Sequence, residues 1–217
     1  DRDKYIGGSD IPAILGISKF TTRWQLLLQK AGLEERTFTG NRYTEYGHII
    51  EPQIRDYINL VYNTNFVPNR VINGDIRYHA DGFNGDTVLE VKSTSEIYSS
   101  VDGYKVYLVQ LLKGMEENEV TEGILAVYDR PEDLNPVFDP QRLQVFDISM
   151  DDHKNLLAYV NKEIDRFRAD LARLKENPLL SEEDFLPIGN DLVAMANKVV
   201  AFENQLAAMK EVEEEFG

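Results

Sequence analysis

Asn84-Gly85 stands between two short β-prone runs, Arg77–Phe83 and Asp86–Lys92, and this pairing constrains the fold more than any other local feature. Asn-Gly suits a two-residue hairpin turn because both residues tolerate positive φ. Such a loop sets Phe83 opposite Asp86, Asp81 opposite Val88 and His79 opposite Glu90. Side chains alternate faces along a strand, so His79 and Asp81 share one face with Val88, Glu90 and Lys92. Asp81 and Glu90 become diagonal neighbours, about 7–8 Å apart at the backbone and closer at their carboxylates.

The flanking sequence supplies helices and further strands. A short helix is expected around Ile11–Leu15, ending at Gly16, and a second near Thr22–Ala31. Thr21 or Thr22 can cap the second helix and Gly32 can stop it. Ile50, Ile54, Ile58 and Val61 repeat at helical spacing within Tyr43–Tyr62. Pro52 lies inside that stretch, so the helix either kinks there or begins there. Strands are expected at Phe66–Ile72, Gly123–Tyr128 and Leu143–Ile148, with a helix over Val101–Glu117 between the hairpin and the last two strands. Helices, a hairpin-bearing sheet, a helix and more strands make a mixed α/β core.

The last third has two seams of alternating three- and four-residue steps. The first runs through Leu157, Val160, Ile164, Phe167, Leu171 and Leu174. The second runs through Leu192, Met195, Val199, Phe202, Leu206 and Met209. Pro178 and Pro187 bracket the connector, and an antiparallel helix pair fits. It is either an ordinary packed hairpin or an oligomerisation or partner arm. The expected division is therefore a core over 1–150 and a helical extension over 151–217.

Composition narrows the function classes. The 217 residues include no cysteine, which removes disulfides, thiol catalysis, iron–sulfur clusters and zinc-thiolate sites. No stretch approaches the ~20 apolar residues of a membrane helix, and no secretory leader is visible, so an intracellular, cytoplasmic protein is expected. The net charge is −15. Residues 1–150 carry 23 acids and 15 bases, and residues 151–217 carry 15 acids and 8 bases. Nucleic-acid binders usually show a basic footprint. A nuclease on this chain must therefore gather its bases locally and offset its carboxylates with metal ions.

The hairpin carries the chemistry. Alone, Asp81-Gly82 reads as a turn pair and Glu90-Val91-Lys92 as a solvated charge stripe. On one face they read as a site. Two converging carboxylates can hold a hard divalent cation, and a neighbouring lysine can orient a hydroxide and oppose developing negative charge. Glu51 lies at the edge of the Ile50/Ile54/Ile58 face; its structural alternative is a helix-starting acid before Pro52.

Five motifs follow one another in order. They are Ile6-Gly7-Gly8-Ser9-Asp10 with Leu15-Gly16 and Phe20-Thr21; Gly47 with Glu51; Ala80-Asp81-Gly82; Leu89-Glu90-Val91-Lys92; and Tyr107 with Gln110. This set resembles the phage-type exonuclease family, the lambda-exonuclease and YqaJ-like viral recombinase group of the PD-(D/E)XK nuclease superfamily. The resemblance implies a restriction-endonuclease-like core with a central mixed sheet flanked by helices, an α/β (α+β) fold to which the helical hairpin is appended. It implies that Asp81, Glu90 and the Val91 carbonyl bind one Mg²⁺ or Mn²⁺ ion, and that Glu51 with Asp81 helps bind a second. Lys92 would position the nucleophilic water and Gln110 would support the site. Arg2 and Ser9, seven residues apart, would hold a DNA 5′-phosphate; the alternatives are a flexible terminus for Arg2 and a loop cap for Ser9. Residue 80 is Ala where the family motif has Pro, and Leu112 stands where a second glutamine is found. Nothing transfers to residues 180–217. His48, His79 and His153 are not spaced as a metal cluster, though His79 is expected to border the site.

The expected function is Mg²⁺- or Mn²⁺-dependent hydrolysis of duplex DNA, 5′ to 3′, resecting ends for phage-type recombination in the host cytoplasm. The resemblance adds a ring-shaped homo-oligomer, a trimer, and a single-strand annealing protein as partners. The enzymatic alternative is an endonuclease or a RecB-like repair nuclease. The alternative of another class is a non-catalytic module whose acidic surface contacts proteins.

Overall fold

The structure is a computed structural model that describes residues 4–35 and 40–186. The chain divides into two compact units, 1–178 and 179–217. Arg2 and the second seam, Leu192 to Met209, lie outside the described residues. Of the second unit, Leu179 to Leu186 are described; a 3₁₀ turn over Glu182–Phe185 is capped by Ser181 and Asp184.

In the first unit six strands form one mixed sheet. They are β1 (Ile6–Gly7), β2 (Val67–Asn73), β3 (Ile76–Phe83), β4 (Thr87–Thr94), β5 (Glu122–Asp129) and β6 (Leu143–Ser149). The order is β1-β3-β4-β5-β6, with β2 also paired to β3. The β1–β3 and β4–β5 pairs are parallel and the rest antiparallel. The helices are α1 (Ile11–Ile14), α2 (Arg23–Ala31), α3 (Arg42–Tyr62), α4 (Lys105–Glu117) and α5 (Lys154–Glu176). The two-residue β1 lies where the sequence reads as a loop, because a strand this short has no periodicity to detect.

Each face of the sheet has its own apolar layer. Leu108, Leu111, Leu112 and Met115 of α4 pack on Tyr78, Ala80, Val88, Leu125 and Val127. Ile50, Ile54 and Ile58 of α3 pack on Leu89, Val91, Ile124, Ala126 and Tyr128. Strands β4 and β5 are thus buried on both faces, which explains their near-continuous apolar runs. Helix α3 continues through Pro52. Proline cannot donate to the His48 carbonyl, but His48 faces solvent, where water can serve that group. The Ile50/Ile54/Ile58 stripe, fully buried on both sides of Pro52, holds the helix as one piece. Glu51 is consequently a mid-helix residue, not a helix-starting acid.

Helix α2 has the expected punctuation. Thr22 and Gln25 form a capping box, and Gly32 ends the helix at φ 75°. In α5 Leu157, Val160, Ile164, Phe167 and Leu174 are buried, and the helix packs on α1, α2 and α4. The first seam therefore finds its apolar partners within the first unit. No described helix is long and apolar enough to cross a membrane.

The hairpin differs from expectation in two ways. Gly82 pairs with Leu89 and Phe83 with Val88, so the central turn residues are Gly85-Asp86, not Asn84-Gly85. Gly85 has φ 103° while Asp86 has no positive φ, the arrangement in which only the first turn residue must be glycine. The Asn84 side-chain oxygen, Oδ1, accepts from the Asp86 and Thr87 backbone N–H groups instead. This moves the register by two residues, which preserves the faces and brings Asp81 level with the β4 residues beyond Leu89, where its side chain reaches the Val91 N–H.

The second difference is a β-bulge in β3. Ala80 pairs with Asn69 but Phe83 with Val67, so one extra residue sits at Asp81–Gly82. Ala80 and Phe83 pack on the α4 side, whereas a Cβ on Gly82 would meet Phe66 and Leu89 on the α3 side. A bulge re-aims side chains in this way. It turns Tyr78 and Asp81 toward Glu90 together and leaves His79 exposed, so His79 does not share the face of Glu90 as the alternation predicts.

Gly114 lets the Tyr78 ring lie against α4. A Cβ at 114 would stand 2.1 Å from Tyr78 Cζ, and one at Gly8 would stand 2.6 Å from its Cδ2. Gly114→Ala is expected to cost about 1–3 kcal/mol through overpacking, because the obstacle is a fully enclosed ring. Urea unfolding measures this; an unchanged midpoint would show that Tyr78 is not clamped.

Candidate active site

Strands β3 and β4 separate where the charged side chains gather. The edge of β3 that faces β4 bonds β4 only at Gly82 and Phe83. Its start, Ile76 and Arg77, bonds β1 instead. Between these points the Asp81 side chain bridges the gap, its Oδ2 accepting from the Val91 N–H at 2.7 Å. A carboxylate here replaces a ladder bond and satisfies a backbone donor that would otherwise be orphaned.

Glu90 is buried and held at both oxygens. The Tyr78 hydroxyl donates to Oε2, and the Lys92 ammonium donates to Oε1 at 2.5 Å. Glu51 reaches the same place from α3. Arg55 Nη1 donates to Glu51 Oε1 at 2.9 Å and to the Asp81 carbonyl at 2.7 Å. One guanidinium therefore ties the α3 acid to the bulge. Asp81, Glu90 and Lys92 are brought together as the hairpin spacing predicts, and Glu51 joins them as the resemblance implies.

Gln110, the expected member on α4, does not hydrogen-bond to these four side chains. It is buried, and its amide nitrogen donates to the Val106 carbonyl at 3.0 Å. Ser9 is exposed in a 3₁₀ turn over Gly8–Asp10. His48 and His79 are exposed, and His153 is half-buried at the end of a 3₁₀ turn before α5.

Three participants were not singled out in the sequence. Tyr78 holds Glu90, and its only sequence signal is a pair of glycines, Gly8 and Gly114, remote in the chain. Arg55 lies one helical turn beyond Glu51, a spacing that can be read as an i,i+4 pair but gives no hint of the Asp81 carbonyl. Asp10 is the third. Its buried Oδ2 accepts from Lys30 at 2.8 Å and from the Gly7 N–H at 2.9 Å, and Lys30 also donates to the Tyr5 carbonyl. This ion pair fixes β1, and so the far end of the strand gap, to α2.

The charges do not balance locally. Arg55 partners Glu51 and Lys92 partners Glu90, which leaves the Asp81 carboxylate without a cation of its own. Burial, then the charges of Glu90 and Glu51, push its carboxyl up to about 8, against the pull of Lys92 and the Val91 N–H. Burial draws Lys92 down, but Glu90 and Asp81 outweigh it and keep its pKa raised. Burial and Glu90 hold the Tyr78 phenol well above its usual range. Among the described residues no three acidic or histidine side chains are already arranged as metal ligands. Arg55 and Lys92 occupy oxygens of two of the four expected ligand groups. The donor set, carboxylates and a backbone carbonyl, is the hard oxygen kind that suits Mg²⁺ or Mn²⁺. Either ion would supply the positive charge that an ionised Asp81 lacks.

A pH dependence follows. An Asp81 carboxyl at about 8 in the folded chain and at its ordinary 3.8 when unfolded keeps a proton that the unfolded chain releases. Between these values stability falls as pH rises, and above about 8 it levels off. Asp81→Asn removes that penalty. In chelator, the variant should melt close to wild type at pH 4 and progressively above it toward pH 8. A constant gap across this range would contradict the burial of an unmatched acid.

Residues 1–105 match the family model described as the YqaJ-like viral recombinase domain; the match contains Glu51, Asp81, Glu90 and Lys92 and ends before Gln110. No curated protein matches the chain. Solved structures do. An alkaline exonuclease (LHK-Exo) from Laribacter hongkongensis is 17% identical, covering 81% of this chain and 91% of its own, with a TM-score of 0.62. Its complex with dAMP has a TM-score of 0.63 at the same identity and coverage. A phage related exonuclease from Haemophilus somnus 129PT is 16% identical, covering 79% and 92%, with a TM-score of 0.56. At such identities the likeness shows the fold, a mixed α+β sheet between helices of the restriction-endonuclease-like type. Residues 1–105 of this chain thus resemble the YqaJ-like viral recombinase domain, on a fold shared with alkaline and phage-related exonucleases.

Proposed function

We propose that the protein is a divalent-metal-dependent deoxyribonuclease that removes nucleotides from duplex ends 5′ to 3′ in phage-type recombination. The observation that carries the proposal is the strand gap, where Asp81, Glu90 and Lys92 converge with Glu51 alongside. The family of residues 1–105 and the exonuclease fold support it.

Glu51, Asp81, Glu90 and the Val91 carbonyl would hold Mg²⁺ or Mn²⁺, one or two ions. When bound, the cation supplies Lewis acidity toward the phosphoryl oxygens and a lowered pKa for water. The chain's own residues do the rest. Asp81 keeps its orientation through the Val91 N–H, and Glu90 through the Tyr78 hydroxyl. Lys92 stands within hydrogen-bond reach of Glu90, where its ammonium can orient the attacking water and oppose charge developing on phosphorus oxygens. The water oxygen forms a bond to phosphorus, the bond to the leaving sugar oxygen breaks, and that oxygen takes a proton. Gln110 supports this constellation from α4. Ser9, with Arg2, recognises a terminal 5′-phosphate; the exposed Ser9 hydroxyl beside Gly7 and Gly8 suits that role. A ring-shaped homo-oligomer and a single-strand annealing protein complete the proposed context, in the cytoplasm of a host cell.

Duplexes labelled at the 5′ or 3′ end, with and without a 5′-phosphate, test this reading in Mg²⁺ and in chelator. Mononucleotides should be released from the 5′ end, faster with the phosphate, and not in chelator. Asp81→Asn and Glu90→Gln should abolish cleavage. Lys92→Ala should lower kcat by about 10²–10³-fold, as loss of a transition-state donor does, with DNA affinity nearly kept. Ser9→Ala should narrow the preference for a 5′-phosphate. Cleavage that survives in Asp81→Asn, or internal nicking of closed circles, would overturn the exonuclease assignment.

A further inference from the structure

Two arginines share one tyrosine at the edge of the site. Arg42 and Tyr43 begin α3, their backbone fixed by Asn41, whose side chain accepts from the Tyr43 and Thr44 N–H groups. The Arg42 guanidinium carbon lies 4.8 Å from the centre of the Tyr43 ring, and that of Arg130 lies 4.2 Å from it. Arg42 also donates to the Tyr43 hydroxyl at 2.7 Å. That bond and the charge of Arg42 lower the Tyr43 pKa. All three side chains reach the surface, Arg130 only partly.

Neither arginine has a carboxylate partner among the described residues, a property they share with Arg70, Arg77 and Arg166. Arg23, Arg55, Arg142, Arg168 and Arg173 each have one. The acid next to Arg130 is Asp129, and it is taken by Arg142 at 3.1 Å. Two guanidinium groups drawn to one ring repel each other, and an anion placed between them relieves that repulsion.

The cluster is joined to the strand of the site. Arg130 follows β5, in register with the end of β4. Its Nη1 donates to the Ser93 carbonyl at 3.4 Å and its Nη2 to the Ser95 hydroxyl at 3.5 Å. Ser93 follows Lys92 directly. On the other side, Arg42 precedes Glu51 along one continuous helix by roughly 13 Å of axial rise. A polyanion only a few units long can therefore touch Lys92 and this cluster together.

We propose that Arg42, Tyr43 and Arg130 form a clamp for a backbone phosphate of DNA next to the scissile one. This rests on the nuclease reading. The clamp supplies the local positive charge that an acidic chain needs in order to hold DNA. Planar guanidinium groups fit phosphate oxygens in a fork geometry, and the Tyr43 ring keeps both forks in place through cation–π contact. These are positioning residues, distinct from the groups at the reacting phosphorus.

Binding and turnover test the clamp on the full chain. Affinity for a fluorescein-labelled duplex is measured by anisotropy in chelator, across 50–200 mM salt, for wild type, Arg42→Gln, Arg130→Gln and the double variant. Each lost contact should reduce the slope of log Kd against log salt by about 1, with KM raised and kcat at saturating DNA nearly kept. Arg130→Lys and Arg42→Lys should retain the slope, because charge rather than shape sets it. Arg42, exposed at the helix start, serves where Arg130→Gln alters the fold, and thermal melts identify that case. A double variant with the affinity and salt slope of a DNA-binding wild type overturns the clamp and leaves the nuclease reading standing. A wild type that neither binds nor cleaves DNA overturns both.

Discussion

Strands β3 and β4 meet only at the tip of their hairpin, and the structure is organised around the gap they leave. A ladder continued past Gly82 and Leu89 would have given the Val91 N–H a backbone partner. Asp81 takes that place, and its carboxylate is thereby lodged between strands, where burial makes ionisation costly. Each neighbour of the gap answers this constraint. Tyr78 and Lys92 fix Glu90, Arg55 spans Glu51 and the Asp81 carbonyl, and the bulge at Asp81–Gly82 turns the acid inward.

The rest of the fold keeps the gap open without letting the sheet come apart. Strands β4 and β5 form a long parallel pair between two apolar layers, which leaves β4 little freedom to follow β3. At the other end, β1 occupies the edge that β4 vacates, and the buried Asp10–Lys30 pair anchors it to α2. A buried ion pair contributes little net stability compared with apolar packing, but breaking it strands a charge. Here it locates a two-residue strand that could not hold its place alone. Tyr78 links both ends. Its ring rests between Gly8 and Gly114 while its hydroxyl reaches Glu90.

An acidic chain that acts on DNA must concentrate its positive charge. Most arginines with an acid in reach are neutralised by it, and the site lysine is itself engaged with Glu90. Arg42 and Arg130 are held by the Tyr43 ring and by uncharged oxygens of Tyr43, Ser93 and Ser95, which orient a guanidinium without cancelling its charge. This arrangement reconciles a net charge of −15 with the nuclease reading. The field that matters to a polyanion is the local one at the mouth of the site.

Some of this was legible in the sequence and some was not, for physical reasons. The helical stripes of α3 and α5, the Thr22 cap, the Gly32 stop and the turn near Gly85 are local, and each can be read within a window of a few residues. The grouping of Asp81, Glu90 and Lys92 was legible too. Faces depend on parity, and the true hairpin register differs from the Asn-Gly register by two residues. The bulge was hidden because it arises from pairing with β2, and no periodicity within β3 records a partner's register. For that reason the sequence pointed to His79, where the fold uses Tyr78. The approach of Glu51 depended on α3 running unbroken through Pro52, a choice made by burial of isoleucines on both sides of it. The Arg42–Tyr43–Arg130 and Asp10–Lys30 pairings join residues remote in the chain. Local chemistry determined which side chains were available to a site. Only the tertiary packing, through strand pairing and helix placement, decided which of them meet.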